Sequence, residues 1–102
     1  MPYRIVKEFE EQVADFTGAK YAVAVESGTA AIFLSCVYKK VKTVTIPQFT
    51  YPSVPCSIIH AGGRGKFSDT EWRGLYELKP YKIFDSALRL HPKLYTYWGG
   101  LV

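Results

Sequence analysis

Tyr21-Ala22-Val23-Ala24-Val25-Glu26-Ser27-Gly28-Thr29-Ala30-Ala31 changes character halfway along. Its first five residues are apolar without alternation, the pattern of a strand covered on both faces, as in a parallel sheet. Ser27-Gly28-Thr29 interrupts the run, and a helix is expected from about residue 30 to residue 39. That helix is apolar nearly all round, which makes it central. A strand that hands over to a helix through a turn of small residues opens an α/β unit. Lys39 and Lys40 then place positive charge at the carboxyl end of the helix, where the backbone dipole favours it.

Upstream, Val6, Phe9, Val13 and Phe16 recur at helical spacing, while Lys7, Glu8, Glu11 and Asp15 fall elsewhere. Residues 3–17 therefore read as an amphipathic helix. Gly18 is its expected stop, because glycine accepts the left-handed conformation that closes a helix. Downstream, Thr43-Val44-Thr45-Ile46 is a β-branched strand ended by Pro47. Residues 48–52 form a loop. Ser53 is the expected cap of a helix over residues 54–61, with Pro55 tolerated in the first turn and Gly62-Gly63 ending it. A third strand is expected over residues 65–68, closed by Asp69, and a fourth over residues 81–84, closed by Asp85. Residues 70–80 read as irregular and aromatic-rich. Residues 86–90 suit a single helical turn before Pro92, and residues 93–102 form an aromatic tail.

The alternation predicts one α/β domain over residues 1–102, a small mainly parallel sheet with flanking helices built from successive helix–strand units. The units recur roughly every twenty residues in pattern, with little identity between them. A chain of 102 residues with 48% hydrophobic and 16% aromatic content is of single-domain size and is not composed like a disordered segment.

The net charge of +4 is spread along the chain without a polybasic run, which reads as a solvated surface. Cys36 and Cys56 each sit in an apolar stretch without metal-ligand spacing, so buried free thiols are expected and zinc is not. No apolar run is long enough to span a bilayer, and the amino terminus lacks a signal-peptide pattern. A cytoplasmic location is the expectation. The chain has no Asn and only Gln12 and Gln48, a poverty in thermolabile amides that suits a thermophilic source.

Three sites fall where an expected strand ends, which is where ligand crevices form in open α/β sheets. Gly28 and Thr29 open a helix whose free N–H groups, with the Thr29 hydroxyl, can hold a phosphate. Tyr51 can present a flat ring to a ligand. Asp85 can pair with a protonated ring nitrogen. Taken singly, each has a plainer reading: a capped turn, a loop aromatic and a helix cap.

In these stretches the chain resembles the DegT/DnrJ/EryC1/StrS family of pyridoxal-phosphate-dependent sugar aminotransferases. The residues that carry the likeness run from Phe9-Glu10-Glu11 to Phe16-Thr17-Gly18, then through residues 21–31. Ile46-Pro47-Gln48-Phe49-Thr50-Tyr51, Ala61-Gly62-Gly63 with Phe67-Ser68-Asp69, and Phe84-Asp85-Ser86-Ala87 continue it in the family's order. The resemblance implies that Gly28 and Thr29 match the phosphate-cradling turn, that Tyr51 matches the aromatic stacked on the cofactor ring, and that Asp85 matches the acid at the pyridine nitrogen.

The family's cofactor-bonding lysine follows the Asp segment in a serine- and aromatic-rich stretch before a Gly-Gly turn. Here His91-Pro92-Lys93-Leu94-Tyr95 runs into Tyr97-Trp98-Gly99-Gly100, and the context of Lys93 does not match. On that ground the chain is expected to be no enzyme, without a resident cofactor. It reads instead as a protein- or peptide-interaction module or homo-oligomer, with Trp72, Leu75, Tyr76, Tyr95, Tyr97 and Trp98 as candidate exposed surface. Two alternatives stand beside it. One is retained binding of pyridoxal phosphate or another phosphate ligand. The other is nucleic-acid binding through aromatics beside Arg73, Lys79 and Lys82.

Overall fold

A computed structural model describes residues 2–86 and 91–95. Helix α1 spans Pro2–Thr17, α2 Gly28–Lys39 and α3 Ser53–His60; the strands are β1 Thr43–Pro47, β2 Arg64–Ser68, β3 Tyr76–Leu78 and β4 Ile83–Asp85. The architecture is α/β, as the alternation of patterns predicts. β1 and β2 pair in parallel, with α3 as the crossover between them, and β3 and β4 pair antiparallel.

One residue pair ties the two small sheets together. Thr45 and Lys79 exchange both backbone hydrogen bonds, at 2.8 and 3.0 Å, in an antiparallel bridge. β3 therefore runs against β1, and β4, reversed again, runs with it. The carboxyl ends of β1, β2 and β4 consequently point the same way.

The helix ends follow from local chemistry. Gly18 takes φ 81°, and its N–H reaches the Ala14 carbonyl at 2.9 Å, closing α1 as expected. Ser27 caps α2 by accepting from the Ala30 N–H at 3.1 Å, and left-handed Lys40 ends the helix. Ser53 does not cap α3. The cap position is Pro52, with no side-chain cap bond, and Ser53 is the first helical residue, whose carbonyl accepts from Ser57 Oγ. At Gly63 a Cβ would stand 2.9 Å from the Lys42 carbonyl oxygen, which is why the chain needs a glycine between α3 and β2.

The core gathers Val44 and Ile46 of β1, Val54 and Ile58 of α3, and Leu78 and Ile83 of the second sheet, with Cys36 from α2. A second cluster joins Leu75, Phe84 and Leu94. Leu94 reaches it from the 91–95 segment, whose Lys93 N–H donates to the Phe16 carbonyl at 2.7 Å.

Four further expectations fail. Residues 21–25 form no strand: Tyr21 and Val23 are 76% and 79% exposed, and no ladder partner lies beside them among the described residues. A strand apolar on both faces needs neighbours on both sides, and nothing in the described chain supplies them. Helix α2 is not central, because it packs one side on α3 and β4 and leaves Leu34, Val37 and Tyr38 exposed. Residues 70–80 are not wholly irregular, since β3 lies within them. Cys56 is exposed, whereas Cys36 is buried; both are free thiols.

The expected surface aromatics also redistribute. Leu75 and Tyr76 are core residues, while Tyr95 is exposed. Tyr97, Trp98 and most of the expected turn at residues 86–90 lie outside the described residues. No helix among the described residues is long and apolar enough to cross a membrane.

Candidate functional site

The amino terminus of α2 is built around Ser27. Its hydroxyl oxygen takes the Ala30 N–H, and its carbonyl takes the Ala31 N–H at 3.0 Å. That leaves the amides of Gly28 and Thr29 without a hydrogen-bond partner among the described residues. Such amides carry the positive end of the helix dipole. A Cβ added at Gly28 would meet nothing within 4 Å, so the approach to these amides is open. Ser27 and Thr29 line an open hollow of about 540 Å³ with Glu26, Ala30 and Phe33 and with Ser57 and His60 of α3. One carboxylate and one imidazole are thus among its lining groups.

Tyr51 and Asp85 are not on that hollow. Tyr51 lies on the exposed turn between β1 and α3, where its carbonyl accepts the Val54 N–H at 3.0 Å. Asp85 ends β4 directly opposite Tyr76 of β3. The phenol of Tyr76 is hydrogen-bonded to the Thr50 hydroxyl, and the Asp85 carboxylate is its charged neighbour. Burial first, and then the neighbouring Asp85 charge, push the Tyr76 phenol well above its ordinary range. Helix α2 packs on β4, so the element that begins at Gly28 and the one that ends at Asp85 are neighbours.

A second hollow of about 450 Å³ lies between β1, β3 and the 70–75 loop. Trp72 forms one wall, its ring tilted 60° against that of Tyr76 with centroids 4.8 Å apart, and it donates its indole N–H to the Phe49 carbonyl at 2.8 Å. Arg73 and Lys79 line it beside Glu71 and Glu77. The described residues hold no group of three or more His, Cys, Asp or Glu side chains placed for a metal ion.

Sequence reading named Gly28, Thr29, Tyr51 and Asp85 as site candidates, took Tyr76 for exposed surface, and did not single out Thr50 or His60. Tyr76 sat in a stretch read as irregular. Only the β3–β4 register brings it to Asp85.

Comparison with known proteins decides the relationship. A profile of the DegT/DnrJ/EryC1/StrS aminotransferase family matches residues 1–84. This chain belongs to that family. The spore coat polysaccharide biosynthesis protein SpsC of Bacillus subtilis (strain 168) is 39% identical over 82 residues, which are 76% of this chain and 21% of SpsC. GDP-perosamine synthase of Caulobacter vibrioides is 32% identical over 73 residues, 69% of this chain and 20% of that enzyme. EpsN of Bacillus subtilis (strain 168), provisionally named a pyridoxal phosphate-dependent aminotransferase, is 39% identical over 70 residues, 66% of this chain and 18% of EpsN.

The chain thus spans about a fifth of the length of these curated relatives and corresponds to their amino-terminal part. This family membership overturns the expectation that the chain is no enzyme. The family is one of aminotransferases, which are enzymes, and the mismatch around Lys93 says nothing about the four-fifths of the relatives' length that the alignment does not reach.

Proposed function

We propose that the chain is the cofactor-facing amino-terminal part of a pyridoxal-phosphate-dependent sugar aminotransferase. The observation that carries this reading is the pair of open amides at Gly28 and Thr29, set on a capped helix end beside a hollow. A phosphate monoester fits there by the physics of helix termini: backbone donors, a favourable dipole and a neighbouring threonine hydroxyl. Asp85 is the acid for the ring nitrogen, and Tyr51 the aromatic for the ring face. The contact between α2 and β4 supports joining the phosphate end to the acid. When bound, the cofactor supplies an electron sink for amino-group transfer. The chain's own residues bind the phosphate, orient the ring and hold a negative charge at its nitrogen.

Equilibrium dialysis with pyridoxal phosphate, pyridoxal and inorganic phosphate tests the reading. Pyridoxal phosphate should bind best, pyridoxal should lose most of the affinity, and Thr29→Val should weaken the phosphate-bearing ligands alone. Equal affinity for pyridoxal and its phosphate would remove the assignment of the α2 terminus.

A second reading rests on a different observation. Tyr3, Ile5 and Phe9 of α1 are exposed together with Tyr21 and Val23, an amount of apolar surface unusual for an isolated monomer. We propose that this surface is covered by self-association.

A further inference from the structure

The loop from β1 into α3 carries two exposed aromatic rings on a chain that is tied down at each residue from 48 to 51. Phe49 and Tyr51 are 77% and 58% exposed. Gln48 donates its backbone N–H to the Ser68 carbonyl at 2.9 Å and its side-chain amide to the Asp69 carboxylate at 3.1 Å. The Phe49 carbonyl accepts the Trp72 indole N–H at 2.8 Å. The Thr50 hydroxyl is hydrogen-bonded to the Tyr76 phenol. The Tyr51 carbonyl accepts the Val54 N–H at 3.0 Å, a bond within the turn that opens α3. The ties at Phe49 and Thr50 come from one unit. Tyr76 is a core residue, Trp72 packs against the same core, and their ring centroids lie 4.8 Å apart.

We propose that Trp72 and Tyr76 are positioning residues for Tyr51, fixing the two residues before it so that its ring stays presented to the face of the cofactor ring. The proposal rests on the reading of Tyr51 as the aromatic for that face. Connecting loops are ordinarily the mobile part of a fold. A ring that is mostly exposed has little packing of its own to hold it, so a loose loop would have to be ordered at the moment of binding. Hydrogen bonds from a packed pair of core aromatics do that ordering beforehand. Tyr51's own bond to Val54 is local and cannot set where the loop stands against the second sheet; the bonds from Trp72 and Tyr76 span 23 and 26 residues and do. Both residues act through the loop, not on the cofactor.

Two variants cut the ties singly. Trp72→Phe keeps a ring and removes the indole N–H, and Thr50→Val keeps the side chain's shape and removes the hydroxyl that meets Tyr76. Each should weaken pyridoxal and pyridoxal phosphate alike, by about threefold to tenfold, as loss of one hydrogen bond does. Affinity for inorganic phosphate should be unchanged; a parallel loss there would mark a folding defect and overturn the positioning role. In the Tyr51→Ala background neither substitution should weaken pyridoxal phosphate further. Equal losses with and without the Tyr51 ring would overturn the proposal. Hydrogen exchange read by mass spectrometry supplies a measurement without any ligand. The amides of residues 48–51 should exchange faster in both variants while those of α2 keep their rates. Unmoved loop exchange overturns the anchoring and leaves the reading of Tyr51 standing. Tyr51→Ala that binds pyridoxal phosphate as tightly as the unaltered chain removes the reading of Tyr51 itself, and the proposal with it, whatever the loop exchange shows.

Discussion

Tyr76 and Asp85 stand directly opposite each other in the β3–β4 ladder, and the buried Tyr76 phenol is hydrogen-bonded to the Thr50 hydroxyl. A buried hydroxyl with a hydrogen-bond partner is costly to remove, because the partner remains. Tyr76→Phe should lower stability by about 1 kcal/mol. Urea denaturation, with the midpoint falling at unchanged slope, is the check.

The same burial gives a pH dependence. The folded chain holds the Tyr76 proton more tightly than the unfolded chain does, and burial does the same to the Cys36 thiol. Stability contributed by a raised group is complete below its unfolded value and is lost as pH rises past it. Unfolding free energy should therefore decline first above about 8.5 for the thiol and further above about 10 for the phenol. Cys36→Ala should remove the earlier arm and Tyr76→Phe the later one. A flat profile across that range in the unaltered chain would contradict the assignment.

Exposure separates the two thiols. Cys56 is exposed, while Cys36 is fully buried with a raised pKa. A thiol reagent should titrate one cysteine rapidly in the native protein and the second only in denaturant. Mass mapping of the first adduct should find Cys56.

Gly63 and Ser27 test the two ends of the helical layer. An alanine Cβ at position 63 would press on the Lys42 carbonyl, with Val41 and Ile58 methyls at 3.0 and 3.1 Å. Backbone cannot rotate away, so Gly63→Ala should cost about 1–3 kcal/mol. Ser27→Ala removes the cap of α2 and should cost about 1 kcal/mol. Thermal denaturation ranks the two.

The exposed apolar residues of α1 and the 21–25 segment predict concentration-dependent association. Sedimentation should show mass rising with concentration, and Ile5→Glu or Val23→Glu should shift the distribution toward monomer. A single monomeric species at all concentrations would sink the self-association reading.

Much of this was legible in sequence because its causes are local. Apolar spacing marked α1, glycine at position 18 marked its end, β-branching marked β1, and Ser27-Gly28-Thr29 marked the start of α2. Family membership was legible too, since motif order survives along the chain. The failures share one cause. Residues 21–25 carry the pattern of a buried strand, but a pattern states only what a segment could bury, and no neighbour lies beside it among the described residues. Tyr76 looked like one more aromatic in an irregular stretch. Side chains nine positions apart face each other only when β3 and β4 take a particular register, so its place opposite Asp85 was decided by the tertiary structure. Helix ends and strand propensities were set within a few residues of chain, whereas the pairing that builds the candidate site depended on long-range backbone hydrogen bonds that no short window of sequence contains.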